Sequence, residues 1–466
     1  MTTSWDLAII GAGSAGYAAA LRGAQLGLSV ALFDDTPVGG TCLHRGCIPT
    51  KAWLQAAKVR RTVEKARTFG IAATLDGTDA EAIRTYADGV VGGLHRGLTG
   101  LLSARGVTVI AERATLRADD HGPAVEAGAA THRARAVLVA TGAAPLTLGL
   151  PVDGRRILTS EHALRLTDLP GRAIVVGGGV IGVEFASLWA DLGVAVTLVE
   201  AMDALLPSEE PGHSRVLARE LARRGVDLRL GAGIESAEVD GDGVSATVGG
   251  ERLTADVLLV AVGRRPATSG LHLEESGVRL SQSGHIEVDD NLQTSVRGVF
   301  AAGDVVAGPQ LAHRGYAHGM FVAERVALLQ GKSHDRPALP ADADIPRVTY
   351  SSPQVASVGL TAEQAGDGAQ VADYHLTGNG RALLLRSPGE RETGVIRLVR
   401  SAEGQIVGMH AVGEDVAELI AEGALLVGWR AAPEDLAGIV HPHPTLGEAI
   451  AEAGWALTGR PLHMHD

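Results

Sequence analysis

Apolar runs that end on glycine set the rhythm of this chain. Residues 6–10, DLAII, predict a short buried strand, and Gly11-Ala12-Gly13-Ser14-Ala15-Gly16 follows at once. A helical spacing of apolar positions begins at Tyr17 and runs to about Leu26, and the next strand, LSVALF, ends at Asp34. The same order returns later. Residues 173–176, AIVV, lead into Gly177-Gly178-Gly179-Val180-Ile181-Gly182; a helix follows from Val183 to about Leu192, and the strand AVTLV ends at Glu200. In both copies 23 positions separate the first glycine from the acid. Three more buried runs close on a turn: RAVLVATGAAP with Thr141 and Gly142, ADVLLVAVGRRP with Gly263, and GVFAAGD with Gly303 and Asp304. Helical patterning covers about 80–104 and 310–329, and a Pro- and Asp-rich linker, KSHDRPALPADADIP, precedes the last segment. There RVTY, VIRLV and IVGMHAV read as strands and about 414–427 and 446–457 as helices, an α+β pattern.

The glycines have separable jobs. Gly11 permits a tight turn, Gly13 lets a pyrophosphate approach the backbone, and Gly16 lets the helix pack close to its strand. Phosphates then meet the N–H groups and the dipole of the helix N-terminus, while Asp34 accepts from a ribose 2′-hydroxyl. Gly177, Gly179 and Gly182 repeat those roles. Two such units imply two dinucleotides, most simply a bound flavin and a diffusing nicotinamide. Glu200 pairs with a free 2′-hydroxyl and repels a 2′-phosphate, and Ala201-Met202-Asp203 offers no arginine to hold one, so NAD is preferred over NADP. The expected fold is α/β: two Rossmann-like dinucleotide-binding domains plus a C-terminal α+β domain. The first takes residues 1–146 and, on the chain's return, 271–340; the second spans 147–270; the third spans 341–466.

Composition narrows the function classes. A net charge of −13 with no basic run argues against a nucleic-acid surface. No cationic stretch precedes the first apolar run, so no signal peptide is expected. Glu184 and Asp191 interrupt the apolar stretch at the second glycine turn too soon for a membrane span. A cytoplasmic protein is expected.

Cys42 and Cys47 are the only cysteines in 466 residues, and they sit in GGTCLHRGCIPTK just after the first dinucleotide unit. One close pair and no others is not a disulfide scaffold. Five steps of ideal helix rise about 7.5 Å, whereas a disulfide needs Cα atoms roughly 4.4–6.8 Å apart. A bond between these two therefore requires a distorted helix. Gly46 supplies backbone freedom beside Cys47 and Pro49 removes a donor; a bond held in bent backbone suits reversible redox work.

With these motifs the chain resembles the flavoprotein disulfide reductases over nearly its whole length, and within them it is most similar to the dihydrolipoyl dehydrogenases. The resemblance rests on the first glycine turn, GGTCLHRGCIPTK, ATG at 140–142, GGGVIGVEFAS, VGRRP, AAGDVVAGPQLAH and HPHPTLGEA. It implies bound FAD, diffusing NAD and a homodimer joined through the third domain. It implies Cys42 as the interchange thiol that meets substrate and Cys47 as the thiol against the flavin. Lys51 is the expected lysine near the flavin ring, with Glu184 as its ion-pair partner. Ser14, Gly40, Thr41, Thr141, Gly142, Gly303, Asp304 and Ala312 are expected at the flavin, and Gly263 at the nicotinamide. His443 and Glu448 are the expected acid–base dyad, contributed across the dimer. Two positions depart from the pattern: Asp34 stands for the more usual Glu, and His318 stands where an acidic residue is common, so His318 receives no role.

The implied activity oxidises protein-bound dihydrolipoamide to lipoamide and reduces NAD. The lipoyl domain would come from a 2-oxo acid dehydrogenase or glycine-cleavage complex. The alternatives are a related NAD(P)H-dependent disulfide or quinone reductase and, from another class, a structural or sensory flavoprotein. A binding role needs neither the cysteine pair nor His443 and Glu448. His441 and His443 also read as a candidate metal pair, but no third ligand lies near them in sequence. His463 and His465 are expected to be exposed in a C-terminal tail.

Overall fold

The computed structural model describes residues 4–386, 391 and 393–464. They form two compact units, Met1–Ala52 with Thr85–Leu146 and Arg264–Asp342, and Trp53–Arg84 with Thr147–Gly263 and Ala343–Asp466.

The first unit is built on a seven-stranded sheet. Its parallel centre orders Thr108–Ile110, Val30–Phe33, Ser4–Ile10 and Ala130–Val139, with Val299–Ala301 added parallel to the last. The hairpin strands Ala114–Asp119 and Gly122–Ala127 extend it antiparallel. Alternate residues of Ser4–Ile10 enter two different cores: Leu7 and Ile9 pack on one face, Ala8 and Ile10 on the other. A strand buried on both faces reads as an unbroken apolar run, which is why DLAII shows no alternation. Helix Ala312–Leu329 lies against helix Ser14–Gln25. Two glycines allow it: a Cβ on Gly315 would stand 2.8 Å from Ser14 Oγ, and one on Gly319 would stand 2.9 Å from Ala19 N.

The second unit holds three sheets. A parallel one orders Asp227–Leu230, Ala195–Glu200, Arg172–Val176, Val257–Val260 and Ile157–Thr159. A three-stranded meander spans Ile234–Asp240, Gly243–Val248 and Glu251–Ala255. The last, wholly antiparallel sheet orders Arg347–Thr349, Gln354–Gly359, Ile406–Gly413, Val395–Arg400 and Gln370–His375. Helices Ile420–Gly428 and Glu448–Leu457 cover it with a shared apolar core. This is the α/β architecture the pattern predicts.

Several elements differ from expectation in their bounds. Both glycine-loop helices start three residues early, at Ser14 and Val180, so the third glycine lies inside the first turn. The helix expected over 414–427 is a short 3-10 turn, Val416–Glu418, followed by Ile420–Gly428, because Asp415 takes φ +58. The short strands expected between the helix over 80–104 and RAVLVATGAAP are Thr108–Ile110, Ala114–Asp119 and Gly122–Ala127, whereas Gln354–Gly359, Gln370–His375 and the meander from Ile234 to Ala255 carry no clear signal in the sequence. Among the described residues no helix is long and apolar enough to cross a membrane.

Candidate active site

The two glycine loops are near copies at atomic detail. Gly11 N donates to Phe33 O and Gly177 N to Val199 O, each at 2.8 Å. Gly11 and Gly177 take φ +102 and +110, which a side chain rarely adopts. A Cβ on Gly16 or Gly182 would collide with the Gly11 or Gly177 carbonyl oxygen, whereas a Cβ on Gly13 or Gly179 would meet nothing within 4 Å. The middle glycine thus faces open space and the other two face backbone. Both helices begin after a glycine N-cap without a side-chain cap and without an acid in the first turn. Donor groups at such an end suit an anion. The residues therefore fit two dinucleotide phosphates.

The acids that close each unit also match. Asp34 Oδ2 accepts from Ala12 N at 2.6 Å and Glu200 Oε2 accepts from Gly178 N at 2.6 Å. Their second oxygens accept from the backbone two residues on, Thr36 N at 2.8 Å and Met202 N at 2.7 Å. Each carboxylate therefore braces its own glycine turn as well as standing at a strand end, so Asp34 does the loop-side work of the longer Glu.

The redox segment rests on the first glycine loop. Gly39 N donates to Ala12 O at 2.8 Å, and a Cβ on Gly40 would stand 2.6 Å from Gly13 Cα. Helix Gly40–Arg45 carries Thr41 and Cys42, stops at Gly46, and a new helix begins at Cys47. The cysteines thus flank a helix break, as a bond between them requires. Both are thiols in this structure. The hydrogen bond to Cys47, then burial, then the neighbouring Cys47 charge push the Cys42 thiol far above its ordinary range, and Lys51 opposes them.

Other expected flavin positions gather in the same unit. Thr141 Oγ1 donates to Ala267 O at 2.8 Å, and Gly142, φ +72, accepts from Ala267 N. Gly303 and Asp304 form a 3-10 turn after the buried strand Val299–Ala301. Burial raises the Asp304 carboxyl, opposed by Arg264 and Arg314. Ala312 opens helix Ala312–Leu329. Gly263, φ +116, ends the segment Thr147–Gly263 of the second unit. Lys51 belongs to the first unit and Glu184 to the second, where it is buried and accepts from Tyr350 N at 2.9 Å.

His443 and Glu448 meet as a dyad. His443 Nδ1 lies 2.8 Å from Glu448 Oε1, and Glu448 Oε2 accepts from Thr445 N at 2.8 Å. The His443 side chain is 77% exposed, so its other nitrogen is open to whatever approaches. Burial would raise the Glu448 carboxyl, but the Thr445 amide and His443 hold it below its usual range. His441 pairs instead with Glu422 at 2.8 Å. Among the described residues no group of three could hold a metal ion. His463 is exposed but tied, its Nδ1 2.6 Å from the buried Glu452. His465 lies outside the described residues.

Two features were invisible in the sequence. Tyr17 and Tyr316 stack at 5.6 Å from helices nearly 300 positions apart. Burial raises both hydroxyls, Tyr17 further through its hydrogen bond to Tyr316, and the charge of Cys42 reaches both. His44 and His95 both bond the Val38 carbonyl, at 2.9 and 3.2 Å, bracing the loop before Gly39. Only packing brings such residues together. His44 alone, placed between the cysteines, was within reach of a sequence argument.

Residues 5–319 match the family described as pyridine nucleotide-disulphide oxidoreductase, and residues 345–454 match that family's dimerisation domain. The dihydrolipoyl dehydrogenase of Thermus scotoductus is 39% identical over 474 residues, covering 99% of each chain. The crystal structure of LpdA from Mycobacterium tuberculosis superposes with a TM-score of 0.88 at 29% identity, covering 98% of this chain and 100% of that one. RclA from Escherichia coli, a flavoprotein disulfide reductase induced by HOCl, gives a TM-score of 0.85 at 27% identity over 98% and 100%. The chain is an oxidoreductase and belongs to the pyridine nucleotide-disulphide oxidoreductases, the flavoprotein disulfide reductases with a C-terminal dimerisation domain.

Proposed function

We propose that this chain is a dihydrolipoyl dehydrogenase that uses FAD and NAD. The observation that carries the reading is the cysteine pair, set across a helix break and seated on the first glycine loop. In this reading residues 1–146 and 271–340 hold FAD, 147–270 hold NAD, and 341–466 join a homodimer. The relative from Thermus scotoductus carries the same activity in its name.

The chemistry follows from the side chains. Glu448 fixes Nδ1 of His443 and favours its protonated form. In the dimer, Nε2 of that imidazole takes the proton of a dihydrolipoamide thiol bound at the partner's cysteines. The thiolate attacks Cys42 of the oxidised pair, the Cys42–Cys47 bond breaks, and Cys47 leaves as thiolate. The second substrate thiol then attacks the sulfur bonded to Cys42, closing the lipoyl disulfide; its proton passes to the departing Cys42 sulfur, while the first proton stays on His443. Lys51 supplies positive charge beside the reduced pair. FAD, held by the first glycine loop and Asp34, would supply two-electron transfer between the dithiol and NAD. Glu200 selects NAD by accepting from its ribose and opposing a 2′-phosphate. The lipoyl arm is that of a 2-oxo acid dehydrogenase or glycine-cleavage complex.

The likeness to RclA favours one second reading, reduction of another disulfide at the expense of NAD(P)H. A steady-state panel of dihydrolipoamide, glutathione disulfide and quinones, each with NAD(H) and NADP(H), decides between them. Turnover of dihydrolipoamide with NAD at least tenfold above the other pairs supports the first reading. Its absence overturns that reading.

A further inference from the structure

His318 takes no part in the chemistry above, yet it is built into the first unit. It lies on helix Ala312–Leu329 with only 2% of its surface exposed. Its Nδ1 accepts the Gly303 amide at 3.5 Å, a bond wholly inside the protein. Gly303 takes φ +77 and opens the 3-10 turn that carries Asp304. A Cβ there would stand 3.2 Å from Ala15 Cβ, in the first glycine-loop helix. The preceding residue is fixed as well, since Ala302 N donates to Val139 O of the central sheet at 3.0 Å.

An amide in this interior needs an acceptor, because a buried N–H left unpaired forfeits the hydrogen bond it made to water. The ring is held where it can serve. Gly315 and Gly319 seat its helix directly on Ser14, Ala15 and Ala19, so the helix cannot slide away from the turn. Nδ1 accepts only when it carries no proton, which fixes the neutral Nε2–H tautomer. Burial pushes the imidazole down to about 4, Arg314 adding to the effect and Asp342 opposing it, so the ring is neutral at ordinary pH.

We propose that His318 is a positioning residue of the flavin site: its Nδ1 accepts the Gly303 amide and so fixes the turn that presents Asp304 to the bound dinucleotide. The inference rests on the reading of the first unit as the FAD site.

The test compares FAD affinity of the apoproteins of wild type, His318→Leu and His318→Asn, by titration with recovery of free-flavin fluorescence. Leucine keeps the bulk and removes the acceptor; asparagine returns an acceptor oxygen near the Nδ1 position. His318→Leu should bind FAD about tenfold more weakly, the fold-change for about 1.4 kcal/mol, and His318→Asn should come within about threefold of wild type. Hydrogen exchange of the peptide containing Gly303 in the apoproteins should be faster in His318→Leu and near wild type in His318→Asn. His318→Met, which also lacks the acceptor, replaces the leucine variant if that one does not fold. Wild-type affinity in the folded leucine or methionine variant, or an asparagine variant no better than they are, overturns the inference and leaves the functional reading intact. A wild-type apoprotein that takes up no FAD overturns both.

Discussion

Glu200 and Asp34 each pin their own glycine turn with one carboxylate oxygen and the backbone after their strand with the other. Removing Glu200 therefore strips a ribose acceptor and loosens the loop that meets the phosphates. Loss of a hydrogen bond to a charged group is worth about 1.5–3 kcal/mol. Glu200→Ala should thus weaken NAD by roughly 10- to 150-fold and relieve the penalty on NADP, read from dissociation constants by titration. Equal turnover of the two nucleotides by wild type would contradict the assignment. At the dyad, His443→Ala should lower kcat with dihydrolipoamide by about 10²- to 10⁴-fold. Glu448→Gln should lower it less, because the amide still meets the ring but no longer favours its protonated form. The Glu448 carboxyl is held below its usual value, so its contribution to stability is present above the unfolded value near 4.3 and is lost as pH falls through the folded one.

Helix Cys47–Lys65 is anchored along its second-unit part. Within the second unit its Lys58 pairs with Asp415 at 2.6 Å, Arg61 with Glu414 at 3.1 Å and Asp191 at 3.4 Å, and Arg60 donates to the Asp191 carbonyl at 2.5 Å. Asp191 and Arg61 are mostly shielded from solvent, 9% and 16% exposed, so this pair is worth more than a surface bridge. At the other end, the break at Gly46 needs a small residue, since a Cβ there would stand 3.0 Å from Thr41 O. Gly46→Ala should cost about 1–3 kcal/mol by overpacking, measured as a lower urea midpoint at unchanged slope. A midpoint equal to wild type would show that the break tolerates a side chain.

A symmetric dimer with composite sites makes a prediction for the whole molecule. Cys42→Ser and His443→Ala homodimers should each be nearly inactive. In the mixed dimer one site combines an intact Cys42 with an intact His443, so activity should return to about half of wild type. Heterodimers verified by mass that stay dead would place the base elsewhere. Stability should also fall as the solution is acidified. Burial pushes His213 down to about 4, helped by His410 and Arg397 and opposed by Asp373 and Glu210. Among the described residues neither ring nitrogen of His213 has a hydrogen-bond partner. From about pH 6.5 down to about 4 the unfolded chain binds a proton that the folded one refuses, a slope of up to about 1.4 kcal/mol per pH unit for one such histidine. His213→Phe should flatten the pH dependence of the urea midpoint between pH 7 and 5.

The chemistry of this protein was legible in short stretches of sequence because its key groups are local. Strand, glycines and helix lie within about 25 residues of each other, and one peptide carries both cysteines. A glycine that must take positive φ or meet backbone is written in the residue type itself. His443 and Glu448 are five positions apart, so their pairing too was within reach. Antiparallel strands such as Gln354–Gly359 and Gln370–His375 were not, because what fixes them is pairing with segments far along the chain. The role of His318 was equally hidden. In sequence it is a histidine in an ordinary helical pattern, and only the seating of its helix against Ser14 and Ala15 brings Nδ1 to Gly303. Sequence determined which groups exist and which local turns hold them; tertiary packing decided which distant donors and acceptors meet, because a buried polar group left unpaired is costly and most are therefore paired.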